Sequence, residues 1–182
     1  KADIAIPSLD FRTTFAVSVS QSSLQITLLD GLQPNTVQDQ RRTDVSSLPQ
    51  VQKKKRKGDL GLNFGVAARP IGLALASLEG AEYLLILLSS GHLLAASTVQ
   101  LNVVSLLATL PEVGDDHGAG SALTALRGWC VIASGSKLGL VDVAEGVYHG
   151  GSGSKAFDLP KGSAATIVMS LEEEEDLTLL VG

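Results

Sequence analysis

Apolar residues along this chain fall in short runs separated by turn chemistry. From Pro70 onward the runs are five to eight residues long, rich in Leu, Val, Ile and Ala, and broken by Gly, Ser, Asp or Pro. That is the signature of strands joined by turns. The clearest alternation lies at Thr14 to Val19, where Phe15, Val17 and Val19 face one way and Thr14, Ala16 and Ser18 the other, the two-residue period of a strand. It pairs naturally with Leu24, Ile26 and Leu28 across a Ser20 to Ser23 turn. Propensity alone also permits a helix from Leu93 to Leu110, because Leu and Ala are good helix formers.

Three segments align with one another: Pro70 to Pro111, Ser121 to Pro160, and Ser163 onward. Each opens on a run that reads as a first strand, at Ile71 to Leu75, Ala122 to Leu126 and Ala165 to Met169. Second runs start at positions 83, 129 and 177, at intervals of 46 and 48, and third runs at Gly91 and Lys137 are again 46 apart. Val103 to Leu110 then reads as a looser outer strand. A four-strand unit recurring every ~40 to 50 residues predicts β-propeller blades, because one small twisted sheet cannot bury its faces until neighbours stack on it. Ser89-Ser90-Gly91 and Ser134-Gly135-Ser136 are the expected hairpin turns between second and third strands.

The predicted fold is thus all-β, a partial β-propeller of about three to four blades. Residues 1–32 form a blade fragment built on the hairpin, residues 33–66 an insertion loop with a basic cluster, and residues 67–182 two full blades and the start of a third. The stretch from Ala122 through Trp129-Cys130-Val131-Ile132-Ala133 to Leu138-Gly139-Leu140-Val141-Asp142-Val143 resembles a degenerate WD-repeat blade. Val141-Asp142 stands where that family commonly ends its third strand in Trp-Asp, and the family's Gly-His pair is absent. Divergent blades of this kind are similar to those of propeller subunits in the UTP-A assembly of the nucleolar small-subunit processome. The resemblance implies a WD-like scaffold in ribosome biogenesis, acting in the processing of precursor ribosomal RNA.

With 182 residues, 45% of them hydrophobic, the chain can bury a sizeable core and is too apolar to be disordered. Its longest apolar run, Tyr83 to Leu88, is far shorter than a bilayer span, and no secretory leader pattern is visible. Both ends read as cuts through a longer protein. The lone Cys130 can form no internal disulfide, which points to a reducing compartment. A net charge of −5 argues against wholesale electrostatic binding to nucleic acid. The charges are nonetheless segregated, with cations at Arg41, Arg42 and Lys53 to Lys57 and acids at Asp115, Asp116 and Glu172 to Asp176.

The sharpest local signal is Lys53, Lys54, Lys55, Arg56 and Lys57, five consecutive cations in a polar loop. That density is what nuclear-import receptors or nucleic-acid phosphates recognise, and contacts to an RNA backbone would need no sequence readout. The remaining candidates are weaker. Glu172 to Glu175 reads as a solvated break between strands. Asp115, Asp116 and His117 form a fragment of a metal site without further ligands. Gly151 to Lys155 lacks the spacing of a phosphate loop. Cys130 lies in an apolar strand, where a free Cys is usually a small core residue.

No residue set supports catalysis, a metal or another cofactor, and neither a membrane nor a small-molecule substrate is expected. The reading is a non-catalytic scaffold of a large nuclear, nucleolar assembly. Its partners are other protein subunits and, through the basic loop, precursor ribosomal RNA. Two other architectures fit the same pattern: a vesicle-coat or nuclear-pore propeller, and a self-contained β-sandwich binding domain.

Overall fold

The computed structural model describes residues 3–20, 23–33, 35–44, 69–110, 121–126, 128–134, 137–149, 157–158, 168–173 and 176–181; these are all-β, with no helix. Strands β1 (Ile4–Pro7), β2 (Thr13–Ser20), β3 (Ser23–Asp30) and β4 (Val37–Asp44) form a first sheet in that order. A second follows the same order with β5 (Pro70–Leu78), β6 (Ala81–Leu88), β7 (His92–Ser97) and β8 (Val104–Thr109). In the third, β9 (Ser121–Leu126), β10 (Trp129–Ser134), β11 (Lys137–Asp142) and β12 (Val147–His149) repeat it, and β13 (Phe157–Asp158) also pairs with β11. A hairpin of β14 (Val168–Glu173) and β15 (Asp176–Val181) comes last. All pairings are antiparallel, as short connections between consecutive strands require.

The alternating N-terminal runs are β2 and β3, paired so that Phe15 faces Leu28, Val17 faces Ile26 and Val19 faces Leu24. Each apolar residue therefore meets another on the same face, the arrangement that stabilises a two-strand register. The span from Leu93 to Leu110, where propensity also allowed a helix, is two strands, β7 and β8. Burial against other sheets overrides helix propensity there.

Two features depart from the expected layout. Val37–Asp44 lies inside the span read as an insertion, yet it completes the first sheet as β4. Its sequence, VQDQRRTD, carries no apolar alternation because the strand is largely exposed and is held by its backbone. Glu172 and Glu173, expected in a break between strands, belong to β14 and pair with Leu177 and Asp176.

The middle sheet explains the unbroken apolar run of β6. Leu84, Ile86 and Leu88 share one core with Phe15, Val17, Leu24 and Ile26 of the first sheet. Leu85 and Leu87 share another with Cys130, Ile132 and Val141 of the third. Successive side chains of a strand point to opposite faces, so a sheet buried on both sides needs apolar residues at every position. The first strands pack in succession, β1 against β5, β5 against β9 and β9 against β14. Gly72 on β5 belongs to this close approach, since a Cβ there would sit 3.1 Å from Cβ of Leu123 on β9.

The face of the first sheet turned away from this stack is polar. Gln40 donates to Thr27 Oγ1 at 3.0 Å, and Arg42 donates to Gln25 Oε1 at 2.9 Å. The sheets form an open series, not a closed ring.

A candidate interaction edge

Within each sheet the antiparallel order puts the turns after the first and third strands at one edge and the turn after the second at the other. The three turn edges lie on the same side of the stack. Residues at the β1–β2 turn and at the β5–β6 and β7–β8 turns line one cleft between the first two sheets, and Leu78 at the end of β5 lies against Gly128 just before β10.

The turns that leave the third strands share a hydrogen-bond plan. The last residue of each third strand, Asp30, Ser97 or Asp142, accepts two backbone amides with its side-chain oxygen. Leu32 and Gln33 donate to Asp30 at 2.8 and 2.9 Å, Val99 and Gln100 to Ser97 at 3.3 and 3.0 Å, and Ala144 and Glu145 to Asp142 at 2.9 and 3.1 Å. The next residue then donates its amide back to the second strand's start: Gly31 to Arg12, Thr98 to Glu82, Val143 to Gly128. The first two turns match further. Asp30 donates to Thr36 and Ser97 to Val103, each at 3.0 Å, while Thr36 donates to Gln33 and Val103 to Gln100, each at 2.8 Å. Short polar side chains that bond their own backbone two and three residues on fix such turns.

This edge is also where apolar side chains reach solvent. Among the described residues, the exposed large hydrophobics are Leu9 and Phe11 in the β1–β2 turn, Leu32 and Val37 around β3–β4, Val99 and Val103 around β7–β8, and Trp129 at the start of β10. All of them are on the turn edge. On the opposite edge the described residues of the β2–β3 and β6–β7 turns, Ser20, Ser23, Ser89, Ser90 and Gly91, are small, and all but the glycine are polar. Among the described residues, large apolar side chains reach solvent on the turn edge alone.

Phe11 is 72% exposed and held in the left-handed region at φ 59°, uncommon for a bulky residue. Its amide donates to Ser8 O, and Ser8 is locked by paired bonds to Thr13, at 2.9 Å from its amide and 3.1 Å through its hydroxyl. Ser8 Oγ accepts the Thr13 amide and donates its one proton to Asp10 Oδ1 at 2.7 Å. That hydroxyl, and then the Arg12 amide, holds the Asp10 carboxyl below its ordinary range. Asp30 is held down by the amides of Gln33 and Leu32. The loop is thus held in one shape by its own hydrogen bonds.

Beside it, Ser8, Leu9, Asp10, Thr13, Phe15 and Leu28 from the first sheet and Glu82 and Thr98 from the second line an open cleft of about 400 Å³. Its lining combines apolar residues (Leu9, Phe15, Leu28), hydroxyl residues (Ser8, Thr13, Thr98) and two acidic residues (Asp10, Glu82). Sequence reasoning did not find this cleft, because its residues come from two units and no local motif joins them.

Lys53 to Lys57, Asp115, Asp116 and His117, and Gly151 to Lys155 lie outside the described residues. The chain that carries the basic cluster leaves the first sheet at Asp44 and enters the second near Arg69, both on the edge opposite the exposed hydrophobics. Cys130 is fully buried in the core between the second and third sheets, where burial pushes its thiol far above the ordinary value. His92 bonds Ser90 Oγ through Nδ1 at 2.8 Å, and partial burial lowers its pKa. Among the described residues no group of three or more His, Cys, Asp or Glu is placed to hold a metal ion. No protein-family model matches the chain, and no curated protein is significantly similar to it.

Proposed function

We propose that this chain is a stretch of WD-like β-propeller that serves as a non-catalytic scaffold subunit of a large nuclear assembly, with nucleolar ribosome biogenesis as its setting. The observation that carries the reading is the repetition itself. Three four-stranded meanders of the same order stack through their first strands, with the same turn bonds at the same edge. Stacked units that bury each other's faces are how blades and other repeats gain stability. A two-layer sandwich leaves each sheet with one outer face, whereas the middle sheet here is buried on both.

The nuclear setting rests on Lys53 to Lys57, and the nucleolar one on the resemblance of Ala122 to Val143 to a degenerate blade. Binding is assigned to surfaces: protein subunits at the turn edge, and the phosphate backbone of precursor ribosomal RNA at the basic cluster. Affinity purification of the tagged protein from cells, with mass spectrometry and sequencing of bound RNA, tests it. Processome proteins recovered with precursor ribosomal RNA support the reading; their consistent absence refutes it. Replacing all five cluster cations with Ala should abolish nuclear accumulation, and unchanged accumulation would remove the cluster's role.

A further inference from the structure

We infer that the cleft between the first and second sheets is a socket for an arginine or lysine side chain presented by an apolar-flanked segment of a partner protein. The chemistry of the lining specifies the occupant. Phe15 and Leu28 are apolar lining that suits an aliphatic stem, while Asp10 from the first sheet and Glu82 from the second supply anionic ends for a cationic head. A long basic side chain is the residue that carries both parts, an apolar stem and a charged tip. At about 400 Å³ the cleft has the size of a small-ligand site.

The surroundings fit the same occupant. Phe11, held outward beside the cleft, and Val99 across it give the flanking residues of such a segment apolar contacts. The described part of the turn edge carries Asp10, Asp30, Glu79, Glu82, Asp142 and Glu145 against Arg12. The edge is therefore anionic overall, and a basic partner is drawn to it from a distance. Arg12 does not line the cleft: its side chain is 86% exposed, with Nε 3.8 Å from Asp10 Oδ2. The segment that carries Lys53 to Lys57 leaves the first sheet at Asp44 and enters the second near Arg69, both on the edge opposite the cleft.

The socket deepens the scaffold reading and rests on it, but the two fail separately: the scaffold depends on what co-purifies from cells, the socket on a titration with a defined peptide. Peptides with a Leu-Arg-Leu core and with a Leu-Gln-Leu core are titrated calorimetrically into the purified chain at low and high salt. The arginine peptide should bind at least tenfold more tightly than the glutamine peptide, and more weakly as salt rises. The near-isosteric variants Glu82→Gln and Asp10→Asn, each verified as folded by circular dichroism, should weaken it about tenfold. Glu145→Gln, on the same edge but outside the cleft, should change it less than twofold.

Equal binding of the two peptides, no binding of the arginine peptide at millimolar concentration, or equal losses in Glu82→Gln and Glu145→Gln would each overturn the socket. A tenfold gain in affinity when Lys53 to Lys57 are replaced by Ala would show that the chain's own cluster occupies the cleft. Self-association abolished by Glu82→Gln would assign it to a second copy. Either result overturns the partner assignment.

Discussion

Leu85 and Ile86 are neighbours in β6, and neither has exposed surface, but they belong to different cores. Ile86 packs toward the first sheet and Leu85 toward the third, so truncating either to Ala opens a void in a separate interface. Withdrawing a side chain of this size from full burial costs about 1.5–3 kcal/mol by area. The cavity left in a packed interior raises the cost to about 2–5 kcal/mol. Taking about 3 kcal/mol and a urea slope of about 2 kcal/mol/M, each variant should unfold at a midpoint roughly 1.5 M lower than the parent. Urea titrations followed by circular dichroism measure this directly. Val99→Ala, at a site 88% exposed, is the control and should stay within about 0.5 kcal/mol. If Ile86→Ala shows the full loss while Leu85→Ala behaves like the control, the middle sheet has a solvent face and the stacked arrangement is wrong.

Three further outcomes follow from individual sites. Gly31→Ala should destabilise by about 1–3 kcal/mol, because the new Cβ would drive into the Phe11 carbonyl and lie 2.9 Å from that of Arg12; a thermal melt unchanged from the parent would refute this. Asp30 titrates below its ordinary value of 3.8 in the folded chain, so its contribution is complete above about pH 4 and is lost as pH falls through the folded-state pKa. Melting temperature should therefore decline on acidification below pH 4, and Asp30→Asn should make that decline shallower; an identical profile would sink the assignment. Cys130 should react with a thiol reagent such as dithionitrobenzoate only after unfolding, since its thiol is enclosed and pushed toward the protonated form. Rapid labelling of the native chain would show that the core between the second and third sheets opens.

Much of this fold is legible in the sequence where burial writes a pattern. The pairing of Thr14 to Val19 with Leu24 to Leu28 shows because one face is apolar and the other polar. The recurrence of β6, β10 and β15 shows because each is a compact apolar run. Strand β4 leaves no such trace: it is largely exposed, so nothing selects apolar residues at alternate positions. Ile4 and Ile6 of β1 do alternate toward the first core, but over only four residues. The shared turn bonds are hidden for another reason. Ser97 stands where the other two have Asp, and Asp30, Ser97 and Asp142 are unevenly spaced because the chain between β4 and β5 interrupts the period. What they share is a short side-chain oxygen at one position of a turn, visible only when the backbone is in place.

The chain contains a single tryptophan, and it is Trp129, 38% exposed at the start of β10 and paired with Asp142. Its intrinsic fluorescence therefore reports from one point on the turn edge, at the third sheet. A partner confined to the cleft between the first two sheets will leave the emission as it is. One that extends along the edge will displace water from the indole and shift the emission to shorter wavelength. The protein thus carries its own optical gauge, without an added label, of how many sheets a bound partner spans.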